Sequence, residues 1–243
     1  TTPLFKIAYL HNTLNIPPEE LSNRIFSFIF LQAYAILENC FFGKSLLKGH
    51  LSRIVMLRTN QSFLDRTITL YAQQQRQEDI VVRKYTKGQN LYDQGTASTK
   101  VMVISEGIAK CYFTEANDKE YIVEFLSVGE IVGEIESIRH IPSLCSIQAM
   151  TDVTVYAFSK TYFRELLERD ITWSNMLLDV MAQRIVHTSS RASYQQLYSL
   201  EHSLHRLLEI QSQQDIAIKK GDMAAYLGIS VRSLNRELKK LLE

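Results

Sequence analysis

The chain has 243 residues, 46% hydrophobic and 22% charged, an ordinary globular composition that excludes global disorder. Lys and Arg number 27 against 26 Asp and Glu, a net charge of +1. A surface basic all over is therefore excluded, while a local basic face is not. Cys40, Cys111 and Cys145 are widely separated and form no CxxC pair, which argues against a disulfide scaffold or a Cys-rich metal site and fits a reducing cytosol.

From Pro17 to Glu78 the pattern is helical. Amphipathic helices are expected over 19–42, 44–58 and 61–78, divided near Gly43 and at Thr59-Asn60-Gln61. The longest apolar stretch, Ile25 to Leu37, is broken by Ser27 and Gln32 and is too short to span a bilayer. No basic segment precedes it as in a signal peptide, so a cytoplasmic location without membrane contact is expected. The chain begins at Thr1 rather than Met, which leaves room for further native residues. Residues 1–78 read as a helical N-terminal extension, either packing material or an interaction arm.

From Asp79 to about Lys160 the period changes to two. Short β-branched and aromatic runs (Ile80 to Tyr85, Val101 to Ile104, Ile108 to Phe113, Glu120 to Leu126, Thr154 to Phe158) are separated by turns at Gly88, Gly95, Gly107, Asn117-Asp118, Gly129 and Gly133. Such spacing predicts a β-roll, barrel or sandwich over 79–170. Helical spacing then resumes, with a short helix over 161–169 and a long one from Ser174 to about Leu200. Within the segment 171–200 the stripe of Leu177, Met181 and Ile185, extending toward Thr188, is a natural two-fold seam; packing on the chain's own roll is the alternative. The whole is an α+β chain.

The segment 201–243 carries the most specific pattern. Asp222 is placed to cap a short helix bearing Ala224, Ala225 and Leu227; Gly228 supplies a left-handed turn position; Ser230 caps a second helix. Leu234, Leu238 and Leu241 form the buried stripe of that helix, opposite Val231, Arg232, Asn235, Arg236 and Lys239. This is helix-turn-helix anatomy, in which the second helix enters the DNA major groove. Arg suits guanine and Asn suits adenine, while Ser230 and Ser233 suit phosphate. Between Lys219 and Lys240 there are six basic residues against Asp222 and Glu237, a basic reading head inside a neutral chain.

Together, Lys87-Gly88 to Gln94-Gly95, Val103 to Gly107, Leu126 to Glu134, Met181 to Ser189 and the C-terminal pattern resemble the cAMP receptor protein/Fnr family of bacterial transcription regulators. Ile131 to Glu136 and Ala224 to Ser230 look especially like its YeiL-type branch. The resemblance covers roughly 79–243. It implies a cyclic-nucleotide-binding-like β-roll, a long dimerisation helix and a helix-turn-helix, normally followed by a β-hairpin wing that is absent from these residues. It further implies double-stranded DNA, a second copy, a small-molecule effector and RNA polymerase as partners. In nucleotide-binding members Gly133 and Glu134 would serve sugar and phosphate, and Thr188 and Ser189 would face the base. The arginine expected to neutralise the cyclic phosphate is replaced here by Ser143-Leu144-Cys145, which argues against cAMP or cGMP, because an anion without a cation in a half-buried pocket is costly. Arg139 and His140 are not at the matching place.

Three cysteines do not suffice for an Fnr-type iron–sulfur cluster, and no metal-ligand spacing occurs. Haem would have His140, Cys145 or His187 as its candidate ligands. Cys111 and Cys145 read by default as buried thiols in strand context. There is no P-loop, no Gly-x-Ser-x-Gly and no His-Glu-x-x-His, so no enzyme is expected. The leading expectation is a dimeric DNA-binding transcription regulator. The alternatives are a ligand-binding module acting through protein contacts with a vestigial helix-turn-helix, and a haem- or redox-sensing regulator.

Overall fold

The computed structural model describes residues 57–213 and 217–241. They fall in one compact unit that starts at Val55. The expected helix over 19–42, Cys40 and nearly all of 44–58 lie outside the described residues.

Leu57–Arg58 is a strand, β1, rather than the end of a helix. It runs parallel to β6 (Glu120–Leu126), with Leu57 opposite Phe125. The Arg58 guanidinium fixes it there, lying 3.2 Å from Glu124 and 3.3 Å from Glu130. Helix α1 (Gln61–Gln73) follows, capped by Asn60, whose Oδ1 accepts the Phe63 amide at 3.0 Å. Its end at Gln73 is earlier than the expected 78. Phe63, Thr67 and Leu70, at helical spacing, turn inward. This stretch, expected within the N-terminal extension, therefore packs in the same unit as the roll.

The roll has two sheets. The first has five strands in the order β1-β6-β5-β8-β3, with β5 (Ala109–Thr114), β8 (Ser146–Ala149) and β3 (Asn90–Tyr92); the second has four in the order β2-β9-β4-β7, with β2 (Ile80–Tyr85), β9 (Val153–Ser159), β4 (Lys100–Glu106) and β7 (Ile131–Val132). The longer strands coincide with the period-two runs in the sequence. β3, β7 and β8 are too short to show a period and are defined by their pairing.

Strand β4 explains how the molecule is layered. Alternate side chains point to opposite faces, and here both faces are buried. Met102 and Ile104 enter the core between the sheets with Leu91, Leu126, Ile147 and Val155. Val101 and Val103 enter a second core formed with Phe63, Phe158, Phe163, Trp173 and Leu177. The elements that close this second core are α1, α3 (Lys160–Arg169) and α4 (Ile171–Leu197). A third core lies on the outer face of the five-stranded sheet, where Tyr112, Ile122 and Phe125 meet α5 (Leu200–Gln213), α6 (Lys220–Leu227) and α7 (Val231–Lys240). The remaining helix, α2 (Glu134–Arg139), connects β7 to the loop before β8.

Helix α4 begins three residues before the expected Ser174, because Asp170 caps it by accepting the Trp173 amide at 3.0 Å. The indole of Trp173 is fully buried, its ring 4.5 Å from that of Phe63 and 5.4 Å from that of Phe158. Replacing Trp173 by Ala removes the keystone of the second core, and should lower unfolding free energy by about 3–5 kcal/mol. Denaturant titration of the purified chain would measure this.

Candidate functional site

Two regions hold the candidate residues: the α6–α7 pair, and the loop and helix around Gly133.

Helices α6 and α7 are joined by Gly228, Ile229 and Ser230. Gly228 closes α6 at φ +69, where an L side chain is strained, and its amide and that of Ile229 satisfy the last carbonyls of α6. Ser230 caps α7 as expected, its Oγ accepting the Ser233 amide at 3.1 Å. Its Oγ also lies 3.0 Å from that of Ser233, so both hydroxyls already serve the cap. Asp222 is not the cap of α6. Lys219 holds that position, and Asp222 in the first turn reaches back to the roll, 2.8 Å from Lys110. Leu234 is fully buried and Leu238 and Leu241 pack beside it, while Val231, Arg232, Asn235, Arg236 and Lys239 are exposed. Asn235 accepts from Lys220 at 3.2 Å. Glu237 is buried among these residues, 3.2 Å from Lys240.

The α6–α7 pair is held to the roll by two cations. Lys110 of β5 is almost buried. It sits 2.8 Å from Asp222, 3.4 Å from Glu120 and 4.8 Å from the Tyr112 ring centre. Burial acts to lower its pKa, but the Asp222 and Glu120 carboxylates together outweigh this and leave it raised. Arg191 of α4 is buried, with no carboxylate in contact among the described residues. It donates to the carbonyls of Val123, Ile122 and Tyr226, and its guanidinium stacks 3.7 Å over the Tyr226 ring. One side chain thus ties the long helix, strand β6 and helix α6 together.

Around Gly133 the fold explains the motif residues. Gly133 has φ +84, and a Cβ there would lie 2.5 Å from the Tyr92 hydroxyl, so only glycine fits. Glu134 is 1% exposed and its carboxylate is bound by Arg184 of α4. Arg184 also lies 3.2 Å from Glu130 and 3.8 Å from Glu124, and donates to the Ile131 carbonyl. Burial acts against the Arg184 charge, yet the three carboxylates raise its pKa further above the ordinary value. Burial pushes the Glu134 carboxyl up, and Arg184 opposes that shift.

The other predicted pocket residues have differing surroundings. Ser143 is buried with no hydrogen-bond partner on Oγ, while its backbone bonds to Gly95 and Thr96 hold the loop. Leu144 is exposed, its amide donating to Glu136 at 2.9 Å. Cys145 lies against Cys111. Thr188 and Ser189 are exposed on α4. Of the haem candidates, His140 is exposed at the C-cap of α2, and His187 lies on α4 near Arg58. Position 143 carries a serine hydroxyl, and the Glu134 carboxylate is paired with Arg184.

The long helix also differs from expectation. Leu177 is 2% exposed and Met181 packs beside it on the second core, so both face the chain's own roll. Ile185 is 68% exposed and belongs to the opposite face with Ile171 and Leu178. Inward positions Trp173, Leu177, Val180, Arg184 and Arg191 keep helical spacing. The two arginines continue an apolar stripe, the signal by which sequence reasoning could have found them.

Residues 82–170 match the cyclic nucleotide-binding domain family. The chain is 28% identical over 167 residues to the Probable transcriptional regulator flp of Lacticaseibacillus casei, covering 66% of this chain and 76% of that protein. It is 23% identical to the Regulatory protein YeiL of Escherichia coli O157:H7, covering 59% of this chain and 66% of YeiL. These regulators are what the chain is similar to, and the family model covers its roll. Its fold agrees: the c-di-GMP responsive global regulator CLP of Xanthomonas campestris superposes with TM-score 0.63 at 17% identity, over 75% of this chain and 92% of CLP. The chain spans only 38% of the length of several mycobacterial ABC transporter ATP-binding proteins that it also matches. Among the described residues no helix is long and apolar enough to cross a membrane.

Two outcomes follow. Arg184→Ala leaves Glu134 buried without its cation and Glu130 with Arg58 alone, and should cost about 3–5 kcal/mol, part of which Glu134→Gln in the same chain restores; chemical denaturation of the single and double variants measures both. Burial, aided by nearby Arg58, lowers the His187 pKa. The unfolded chain therefore binds the proton more readily, and stability should decline as pH falls from about 6.5. His187→Gln should flatten that decline in melting temperature recorded between neutral pH and the folded-state pKa.

Proposed function

We infer that this chain is a Crp/Fnr-type, sequence-specific DNA-binding transcription regulator working as a homodimer, with α6 and α7 as its helix-turn-helix and no enzymatic activity. The observation that carries this reading is the division of α7. Leu234 anchors one side, and Arg232, Asn235, Arg236 and Lys239 stand together on the exposed side, chemistry suited to guanine, adenine and phosphate. The second copy supplies the second half-site reader. Ile171, Leu178 and Ile185, spaced by seven and exposed by 73%, 63% and 68%, are the apolar seam best suited to that contact.

The roll then serves as the sensing part and α4 as the connection to the reader. The pairing of Glu134 with Arg184, and the serine at 143, favour an input other than cAMP or cGMP. Neither nucleotide should shift the melting temperature of the purified chain.

The decisive experiment selects bound duplexes from a random-sequence pool and measures affinity for the winners against scrambled duplexes at several salt concentrations. Arg236→Ala should weaken binding by about 1–3 kcal/mol and relax preference at one base position per half-site. Equal binding to all sequences would overturn the reading and leave output through protein contacts.

A further inference from the structure

We propose that Cys111 and Cys145 form a dithiol that a hydroperoxide closes to an intrachain disulfide, joining strand β5 to the loop after α2. The proposal goes beyond the DNA-binding reading and does not depend on it. It starts from distance: the two sulfurs lie 2.7 Å apart, so closure to a bond of about 2.05 Å needs a movement of well under an ångström. Both cysteines are free thiols.

Their settings are unequal in a useful way. Cys111 is 6% exposed in the core between the sheets, near Met102 and Ile147. Cys145 is half-buried and stands immediately before β8. The loop bearing it is pinned on both sides of the reactive position. The Ser143 backbone is bonded to Gly95 at 2.7 Å and to Thr96 at 2.8 Å, and the Leu144 amide donates to Glu136. On the other side, β8 pairs with β5 itself, Tyr112 opposite Ser146. The sulfurs are therefore held together by the fold rather than by a chance rotamer of a mobile loop. The neighbouring thiol and burial push the Cys111 thiol up, which suits it to the second step rather than the first.

The chemistry balances with one hydroperoxide. The accessible Cys145, as thiolate, attacks a peroxide oxygen; the O–O bond breaks, an S–O bond forms, and the released hydroxide takes a proton to leave as water. The Cys111 sulfur then attacks Sγ of Cys145, giving up its proton to the departing hydroxyl. The S–S bond forms, the S–O bond breaks and a second water leaves. Two thiols are oxidised by two electrons and, with hydrogen peroxide, two waters result. Cys145 is thus the attacking sulfur and Cys111 the resolving one.

The test uses the full 243-residue chain carrying Cys40→Ser, so that no third thiol competes. After reduction, treatment with hydrogen peroxide, alkylation and tryptic digestion, segments 111–119 and 140–160 should appear joined and lighter by two hydrogens than their sum. A thiol reductant should separate them. In the additional variant Cys111→Ala, dimedone should label Cys145; in Cys145→Ser, Cys111 should stay a thiol. Recovery of both cysteines in alkylated form after peroxide, or linkage between chains instead of within one, would overturn the proposal. Cys145→Ser alters only a half-buried side chain, so its outcome remains decisive if the core variant fails to fold.

Discussion

The guanidinium of Arg184 is the contact on which this structure depends. It draws Glu130 and Glu134 from the β7 region and Glu124 from β6 onto one helix. Arg58 joins two of these carboxylates, Glu124 and Glu130, from β1. Removing charges from water is expensive, and such a cluster is tolerated only when opposite charges meet at close range. Five groups from four segments can meet in only one arrangement of roll and helix. The cluster therefore specifies geometry at least as much as it adds stability.

Seven residues further along the same helix face, Arg191 performs the corresponding task without any carboxylate. Carbonyl oxygens and the faces of Tyr226 and Tyr121 take its charge. These are weaker partners for a cation than carboxylates. The upper end of α4 is thus bound to roll and α6 more softly than the lower end is bound to the carboxylates. Lys110, paired with the Asp222 carboxylate, adds a second link on the β5 side. A rod held firmly at one point and softly at another is suited to passing displacement from the roll to α6 and α7.

Much of this was legible in the residues. The long strands follow their period of two, and α7 follows its cap and its leucine spacing, because each is governed by local rules. β3, β7 and β8 were not legible, being shorter than one useful period. Leu57–Arg58 misled because its strand identity comes from a partner more than sixty residues away. Of the stripe on α4, Leu177 and Met181 follow the alternative of packing on the roll; the helix is apolar on two faces, and composition alone does not say which face meets the roll. Asp222 was legible as a helix-start residue, but the Lys110 ammonium drew it into a tertiary bond. The exposed side of α7 was legible because charge and capping agree there. The Gly133 region was found only in part, since Arg184 comes from a distant helix.

Strand β5 has a further consequence. Its consecutive residues Lys110 and Cys111 point to opposite sides of a single sheet, the ammonium to Asp222 outside and the thiol to Cys145 within. The wall between the interior of the roll and the underside of the α6–α7 pair is there one backbone thick. With no intervening layer of side chains to absorb it, any sideways shift of that backbone is delivered undiminished to both rooms.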